Sequence, residues 1–375
     1  MHLHLSVLGL LAALAAAAPV DPPTPRPALV EGDSLRLIKT APETSQWVTE
    51  KELEELQEKN VKFIDVTDVS ESELEILSLP ADADVSKLAA RQAQTYPTSL
   101  SHQTEANRLI GTASVAGPQS NLRSITGFTN RHYQSATGVT SATWLFNTAK
   151  SLAASNPAIT VTQFAHSFRQ PSLIVKIPGS ASAGSVIVGA HYDGVGTGST
   201  RREAADDNGS GSVVLLEALR VLTAAGFKPK QTLEFHWYAG EEAGLLGSRD
   251  VFASYRSQGA KVLAYLNQDM AGYSPSGAVS VYTDFVDTSL TAYVRLIANT
   301  YTGSVATTSQ CGYGCSDHAS ARSNGFPAAF VTEDVFEKTS PFIHTAQDTY
   351  STIQWDAVLR HVKLTIGYLV EASYL

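Results

Sequence analysis

From Ser172 onward, short β-rich apolar runs alternate with segments of helical spacing. Ser172–Ile177, Ser185–Ala190, Thr232–Tyr238 and Val262–Leu266 read as strands. Ser212–Ala225, Gly244–Gln258 and Trp355–Tyr374 read as helices, and the first of them stops at Gly226. Strands separated by helices bury their apolar faces best as a central sheet sandwiched between helical layers. The expected fold is therefore α/β, a mixed central β-sheet flanked by helices on both faces. About 280 residues follow residue 95, enough for one large domain of this kind.

The segment preceding that domain has a different character. The chain opens with Met1-His2-Leu3-His4 and an apolar run from Leu5 to Ala18, rich in Leu and Ala. The run is short for a bilayer span and ends in the small residues Ala15–Ala18, the kind after which signal peptidase cleaves. Residues 1–18 are therefore expected to be a signal peptide and the protein to be secreted. No later stretch approaches about 20 uninterrupted apolar residues, so no membrane partner is expected. Between Asp21 and Lys87, 16 acidic residues face 7 basic ones, and the rest of the chain carries 20 of each sign. The whole negative excess thus sits in one segment, after a Pro-rich stretch from Pro19 to Pro27. Residues 42–60 are expected to form an acidic helix within it. Residues 19–90 read as a removable propeptide ending between Lys87 and Tyr96, and residues 91–375 as the functional domain. Neither part has a basic run, which argues against nucleic acid.

Chemistry-bearing residues gather where the strands end. His191-Tyr192-Asp193 follows the strand Ser185–Ala190, and period two lets Asp193 orient the imidazole of His191. Ala205-Asp206-Asp207-Asn208-Gly209-Ser210-Gly211 sets adjacent carboxylates on a Gly-rich turn. Glu241 and Glu242 follow the strand Thr232–Tyr238, framed by Gly240 and Gly244, which permit the backbone to leave the strand. Asp269 follows Val262–Leu266, and His344 lies in Phe342–Asp348. Ligands of open α/β sheets bind beyond the carboxyl ends of strands. Two His with several Asp and Glu, and no Cys among them, form the donor mixture of a hydrolytic zinc site. The two cysteines, Cys311 and Cys315, suit one small closed loop in an oxidising compartment better than a thiol metal pair.

In this order, HxD, DDNGSG, EE, D, H, the residues resemble the secreted zinc leucine aminopeptidases of metallopeptidase family 28, bacterial and fungal, from about Tyr96 to the C-terminus. The resemblance implies that His191, Asp207, Glu242, Asp269 and His344 bind two Zn2+ per chain, with Asp207 bridging. It favours Asp207 over Asp206 because the family's bridging carboxylate immediately precedes Asn208. It implies that Glu241 is the general acid/base rather than a ligand. It also implies a disulfide between Cys311 and Cys315 beside the site, with Tyr313 near the substrate. On this assignment His191 and Glu242 would share one zinc, and Asp269 and His344 the other.

The implied enzyme is an extracellular metalloexopeptidase releasing Leu and other large apolar residues from peptides with a free N-terminus, expected to act as a monomer. Met270, Phe330, Phe336 and Ile343 are candidates for the side-chain pocket, core packing being the equal alternative. His318 is a secondary ligand candidate, His236 reads as a core residue, and His132, His166 and His361 as structural. The rival readings are a one-zinc glutaminyl cyclase on the same fold and a non-catalytic binding domain. The latter would be marked by a lost ligand or base, and all six positions are present. Asn208-Gly209-Ser210 is the sole N-x-Ser/Thr sequon, yet it lies inside the proposed metal loop.

Overall fold

A strand covered on both faces has no polar side to present, so its sequence reads as a near-continuous apolar run. The computed structural model describes residues 35–41, 44–59, 61, 63–67, 69, 94–181, 183–196 and 199–375. The expected signal peptide lies outside the described residues, as does most of the expected boundary between Lys87 and Tyr96. The elements are, in order, β1 (Leu35–Ala41), β2 (Thr44–Thr49), α1 (Glu50–Glu58), β3 (Ile64–Asp65), α2 (Gln103–Ile110), α3 (Ala116–Ile125) and α4 (Ala136–Ala153). Then come β4 (Thr160–Phe164), β5 (Ser172–Ile177), β6 (Ser185–His191), α5 (Gly211–Ala224), β7 (Thr232–Tyr238), α6 (Leu246–Ser257) and β8 (Val262–Gln268). The chain finishes with β9 (Ser280–Tyr282), α7 (Thr288–Tyr301), β10 (Thr307–Ser309), α8 (His318–Ser323), β11 (Ala328–Thr332) and α9 (Trp355–Ala372).

Eight strands form one mixed sheet in the order β10-β9-β11-β8-β6-β7-β5-β4. At its centre β8, β6 and β7 run parallel, while β5 is antiparallel to β7. Side-chain alternation sorts the two faces. Val186, Val188 and Ala190 of β6 join a core with Val213 and Leu216 of α5 and Val358 and Val362 of α9. Ile187, pointing the other way, packs with Val251 and Phe252 of α6 and Ala321 of α8. Helices therefore cover both faces, as the sequence pattern requires. Gly189 must be small, because a Cβ there would lie 2.7 Å from the Tyr238 ring and 2.9 Å from that of Tyr265. Among the described residues no helix is long and apolar enough to cross a membrane.

Two helix expectations need correction. The helix expected from Gly244 starts at Leu246, because Gly240, Gly244 and Leu245 all take positive φ and hold Glu241 and Glu242 on a turn. The helix expected over residues 42–60 starts only at Glu50, and Thr44–Thr49 pairs antiparallel with β1 instead. The cause is local. The Thr49 amide donates to Glu52 Oε2 at 2.8 Å and the Glu52 amide to Thr49 Oγ1 at 3.2 Å, a reciprocal cap that begins a helix after Thr49.

β1, β2 and β3 make a separate antiparallel sheet in the order β2-β1-β3. Its apolar side does not close on itself. Ile38, Val48 and Leu53 share one core with Tyr133, Ala243 and Leu246 of the main domain. Arg249 of α6 donates to the Asp65 carbonyl at 2.7 Å, and the Asp65 carboxylate pairs with Arg36. The small sheet is thus docked against the turn that carries Glu241 and Glu242.

Candidate metal centre

Parallel neighbours β8, β6 and β7 end on the same edge of the sheet, so the segments leaving their carboxyl ends meet one another. His191 is the last residue of β6, and Asp269 comes directly after β8. Beyond β7 the chain turns at Gly240 and presents Glu241 and Glu242. The turn before α5 supplies Asp207, and His344 comes from a loop at φ 60°.

The five expected ligands converge. His191 Nε2 lies 3.1 Å from Asp207 Oδ1 and 3.3 Å from Asp269 Oδ1. His344 Nε2 lies 3.1 Å from Asp207 Oδ2 and 2.9 Å from Glu242 Oε2. The ligand groups are therefore His191–Asp207–Asp269 and Asp207–Glu242–His344. This corrects the expected pairing of His191 with Glu242 and of Asp269 with His344. Sheet order is the reason: β8 lies directly against β6 and brings Asp269 to His191, whereas the turn at Gly240 carries Glu242 towards the His344 loop.

The donor set fits a metal pair. Ligands held about 2.0 Å from a tetrahedral ion stand about 3.3 Å apart, close to the spacings here. Asp207 offers one oxygen to each group. Nitrogen and carboxylate donors without thiolate suit zinc or a similar divalent ion. The electrostatics agree. Burial alone would raise the Asp207 carboxyl, but hydrogen bonds from His191 and His344 hold it far below the usual range. Burial would lower the imidazolium of His191, yet Glu241 and Asp269 hold it well above its usual value, and Glu242 and Asp207 do the same for His344. So much buried carboxylate attracts cationic charge.

Glu241 belongs to neither group. Its Oε2 is 3.9 Å from His191 Nε2, and burial, opposed by His191, pushes its carboxyl well above the usual range. Asp193 stands 3.4 Å from His191 Nδ1, where it orients the ring. Its two oxygens also accept the amides of Glu241 at 3.1 Å and Glu242 at 3.2 Å, so one carboxylate fixes both the imidazole and the turn. Ser316 Oγ donates to Asp269 Oδ2 at 2.6 Å. Asn208 is fully buried; its Nδ2 donates to the Gln268 carbonyl at 2.9 Å, and its Oδ1 accepts from Met270 N at 3.1 Å.

A cavity of 440 Å³ opens over these groups, within the size range of small-ligand sites. Asp207, Glu241, Glu242, Asp269 and His344 form its polar side, and Met270, Tyr313, Phe330, Phe336 and Ile343 lie among its other walls. All the expected pocket residues thus line it. Cys311 and Cys315 form a disulfide, and Asp284 holds that loop by accepting the amides of Cys311 at 3.2 Å and Gly312 at 2.7 Å. Burial, then Glu241 and Asp269, keep the Tyr313 phenol protonated far above its usual range. Among the described residues His318 joins neither ligand group; its ring stacks on Phe330 at 4.5 Å, and burial pushes its pKa down to about 3. His236 is a satisfied core residue, bonded to Glu234 at 3.0 Å and Tyr238 at 2.9 Å.

Sequence reasoning missed several participants. Val61 and Phe63 of the N-terminal segment line the same cavity. Asp348 accepts the amides of Asp206 and Asp207; it is visible in the His344 cluster, but nothing in the spacing gives it a role. Arg131, in the unremarkable run Asn130-Arg131-His132-Tyr133, is buried behind the turn.

The profile of peptidase family M28 matches residues 172–369. A probable leucine aminopeptidase of Arthroderma otae is 40% identical over 370 residues, spanning 97% of this chain and 97% of that protein. Among solved structures, the LapA aminopeptidase of Legionella pneumophila superposes with a TM-score of 0.77 at 28% identity, covering 88% of this chain and 90% of that one. A glutaminyl cyclase of Porphyromonas gingivalis, at TM-score 0.56 and 20% identity over 69% of this chain and 99% of that one, shares the fold alone.

Proposed function

The chain belongs to peptidase family M28, and on that premise we propose that it is a secreted two-zinc aminopeptidase, releasing Leu and other large apolar residues from peptide N-termini. The observation that carries the reading is the placement of Asp207, one oxygen facing His191 and Asp269, the other Glu242 and His344. These five residues would hold the two ions. Zinc bound there would polarise the scissile carbonyl and lower the pKa of an attacking water. Glu241 takes that water's proton on its carboxylate and returns it to the leaving amine nitrogen. A bound metal would also offer an open position to the free α-amine of a peptide N-terminus. Met270, Phe336 and Ile343 receive the departing side chain, and the protonated Tyr313 phenol is a donor beside it.

The precursor reading is part of the proposal: residues 1–18 direct secretion, residues 19–90 are removed, and the mature enzyme acts as a monomer. Val61 and Phe63, within that removable segment, line the catalytic cavity, which supports its being a cover. The test is zinc analysis of the protein beside hydrolysis of Leu-anilide and N-acetyl-Leu-anilide. Two zinc ions per chain and cleavage of the free amine alone are expected. Absence of zinc binding, or equal cleavage of the blocked substrate, contradicts the reading. Cyclisation of an N-terminal Gln peptide in place of hydrolysis identifies the cyclase instead.

A further inference from the structure

Arg131 is a guanidinium only 1% exposed, and no step of the proposed reaction uses it. Burying such a cation is costly unless its donors are matched. Here they go to backbone carbonyls: Nε to Tyr192 O at 2.6 Å, Nη2 to Ala204 O at 2.7 Å, and Nη1 to Glu203 O. Tyr192 sits between His191 and Asp193, while Glu203 and Ala204 immediately precede the turn that carries Asp207. The fork therefore joins the segment of one ligand to that of the shared ligand.

Asp348 does the converse from within the loop that carries His344. It is 2% exposed, its Oδ1 accepts the Asp206 amide at 2.8 Å and its Oδ2 the Asp207 amide at 3.0 Å. One side chain gathers carbonyls before the turn, and the other gathers amides within it. We propose that Arg131 and Asp348 are positioning residues that form a two-sided clamp on the Asp207 turn and set how tightly the metal pair is held. The proposal rests on the two-metal reading of the site.

Residue chemistry supplies the variants. Lysine keeps the charge of Arg131 but has one nitrogen where a planar fork meets three carbonyls. Asparagine at 348 replaces one acceptor by an NH2 group, which faces a buried amide and leaves it unmatched.

The experiment compares the native full chain with Arg131→Lys and Asp348→Asn. Retained zinc is measured against increasing chelator, and thermal unfolding is followed in metal-free and zinc-loaded forms. The clamp predicts that both variants lose zinc at chelator concentrations about 10–100-fold lower than native. The Tm gain on loading should shrink, while the metal-free Tm stays within a few degrees of native. With Leu-anilide, kcat should recover on adding zinc at an unchanged KM. Native resistance to chelator in both variants overturns the proposal. So does a fall in metal-free Tm with the loading gain unchanged, since that marks simple structural support. If Arg131→Lys does not fold, the same readings on Asp348→Asn decide. A native protein that binds no zinc overturns the two-metal reading and the clamp together, whereas native-like variants of a two-zinc protein overturn the clamp alone.

Discussion

The cavity has two kinds of wall. On one side, Asp269 and the Glu241–Glu242 turn come off strands β8 and β7, which flank β6 with His191 at its end, all three parallel and buried on both faces. On the other, Tyr313, Phe336, Ile343 and His344 come from loops, joined by Val61 and Phe63 of the N-terminal segment. Side-chain exposure differs in the same sense, 11% at Glu241 and 13% at Asp269 against 19% at His344. A sheet edge holds groups to the precision that proton transfer and metal binding need, while loops can vary in shape without disturbing it. Substitutions on the strand wall should therefore alter chemistry, and those on the loop wall should alter access and affinity.

The largest effect is expected at the turn serving both ligand groups. Asp207→Asn removes the shared anionic ligand, so turnover should fall by more than the about 10²–10³-fold that loss of one transition-state donor costs. Both metals should weaken together in a chelator titration. Loss of one ion with the other held at native strength would mean that Asp207 does not bridge.

On the loop wall, Phe63→Ala in the full-length chain should raise kcat/KM about tenfold, equivalent to about 1.4 kcal/mol of cover relieved. Removal of the whole N-terminal segment should raise it at least as much. A full-length chain as active as one lacking that segment would show that Val61 and Phe63 do not obstruct the substrate, and the two walls would then be a single fixed surface.

A smaller change is expected from the disulfide. Cys311 and Cys315 enclose three residues, so closing that loop is worth less than the roughly 3 kcal/mol of a 15-residue loop. Asp284 also holds the loop through two amides. The double serine variant should shift KM severalfold and Tm only slightly. A large Tm loss with unchanged kinetics would move this loop to the structural side of the comparison.

The smallest expected effect is none at all. Asn208 carries the sole sequon, but its side chain is buried and bonded to Gln268 and Met270. Glycosidase treatment of the protein expressed through a eukaryotic secretory route should leave its mass unchanged at this site. A glycan on Asn208 is incompatible with a buried ligand turn.

The strand wall was legible in the sequence because burial and chemistry coincide there. Apolar runs marked β6, β7 and β8, and His191, Glu241–Glu242 and Asp269 stand at or just past their ends. How the ligands divide was not legible, because chain order does not reveal that β6 lies between β8 and β7. The N-terminal sheet was obscured by composition. Its glutamates suggested helix from residue 42, while the Thr49–Glu52 cap, spaced correctly for a helix beginning at Glu50, was the better local signal. Arg131 and Asp348 act through backbone groups distant in sequence, a relation that no motif spacing encodes. Val61 and Phe63 looked like ordinary apolar residues because their site belongs to another part of the chain.

The central claim is that adjacent glutamates on one turn do different work: Glu242 holds metal, and Glu241 moves a proton without holding any. Zinc stoichiometry measured beside turnover in Glu241→Gln and Glu242→Gln tests it most directly. Glu241→Gln should keep two zinc ions and lose about 10²–10⁴-fold in turnover, unrescued by added metal. Glu242→Gln should bind zinc more weakly at the His344 group and regain part of its activity in excess zinc. If Glu241→Gln loses zinc while Glu242→Gln retains it, the roles are reversed; if both keep zinc and full turnover, the account of this turn is contradicted.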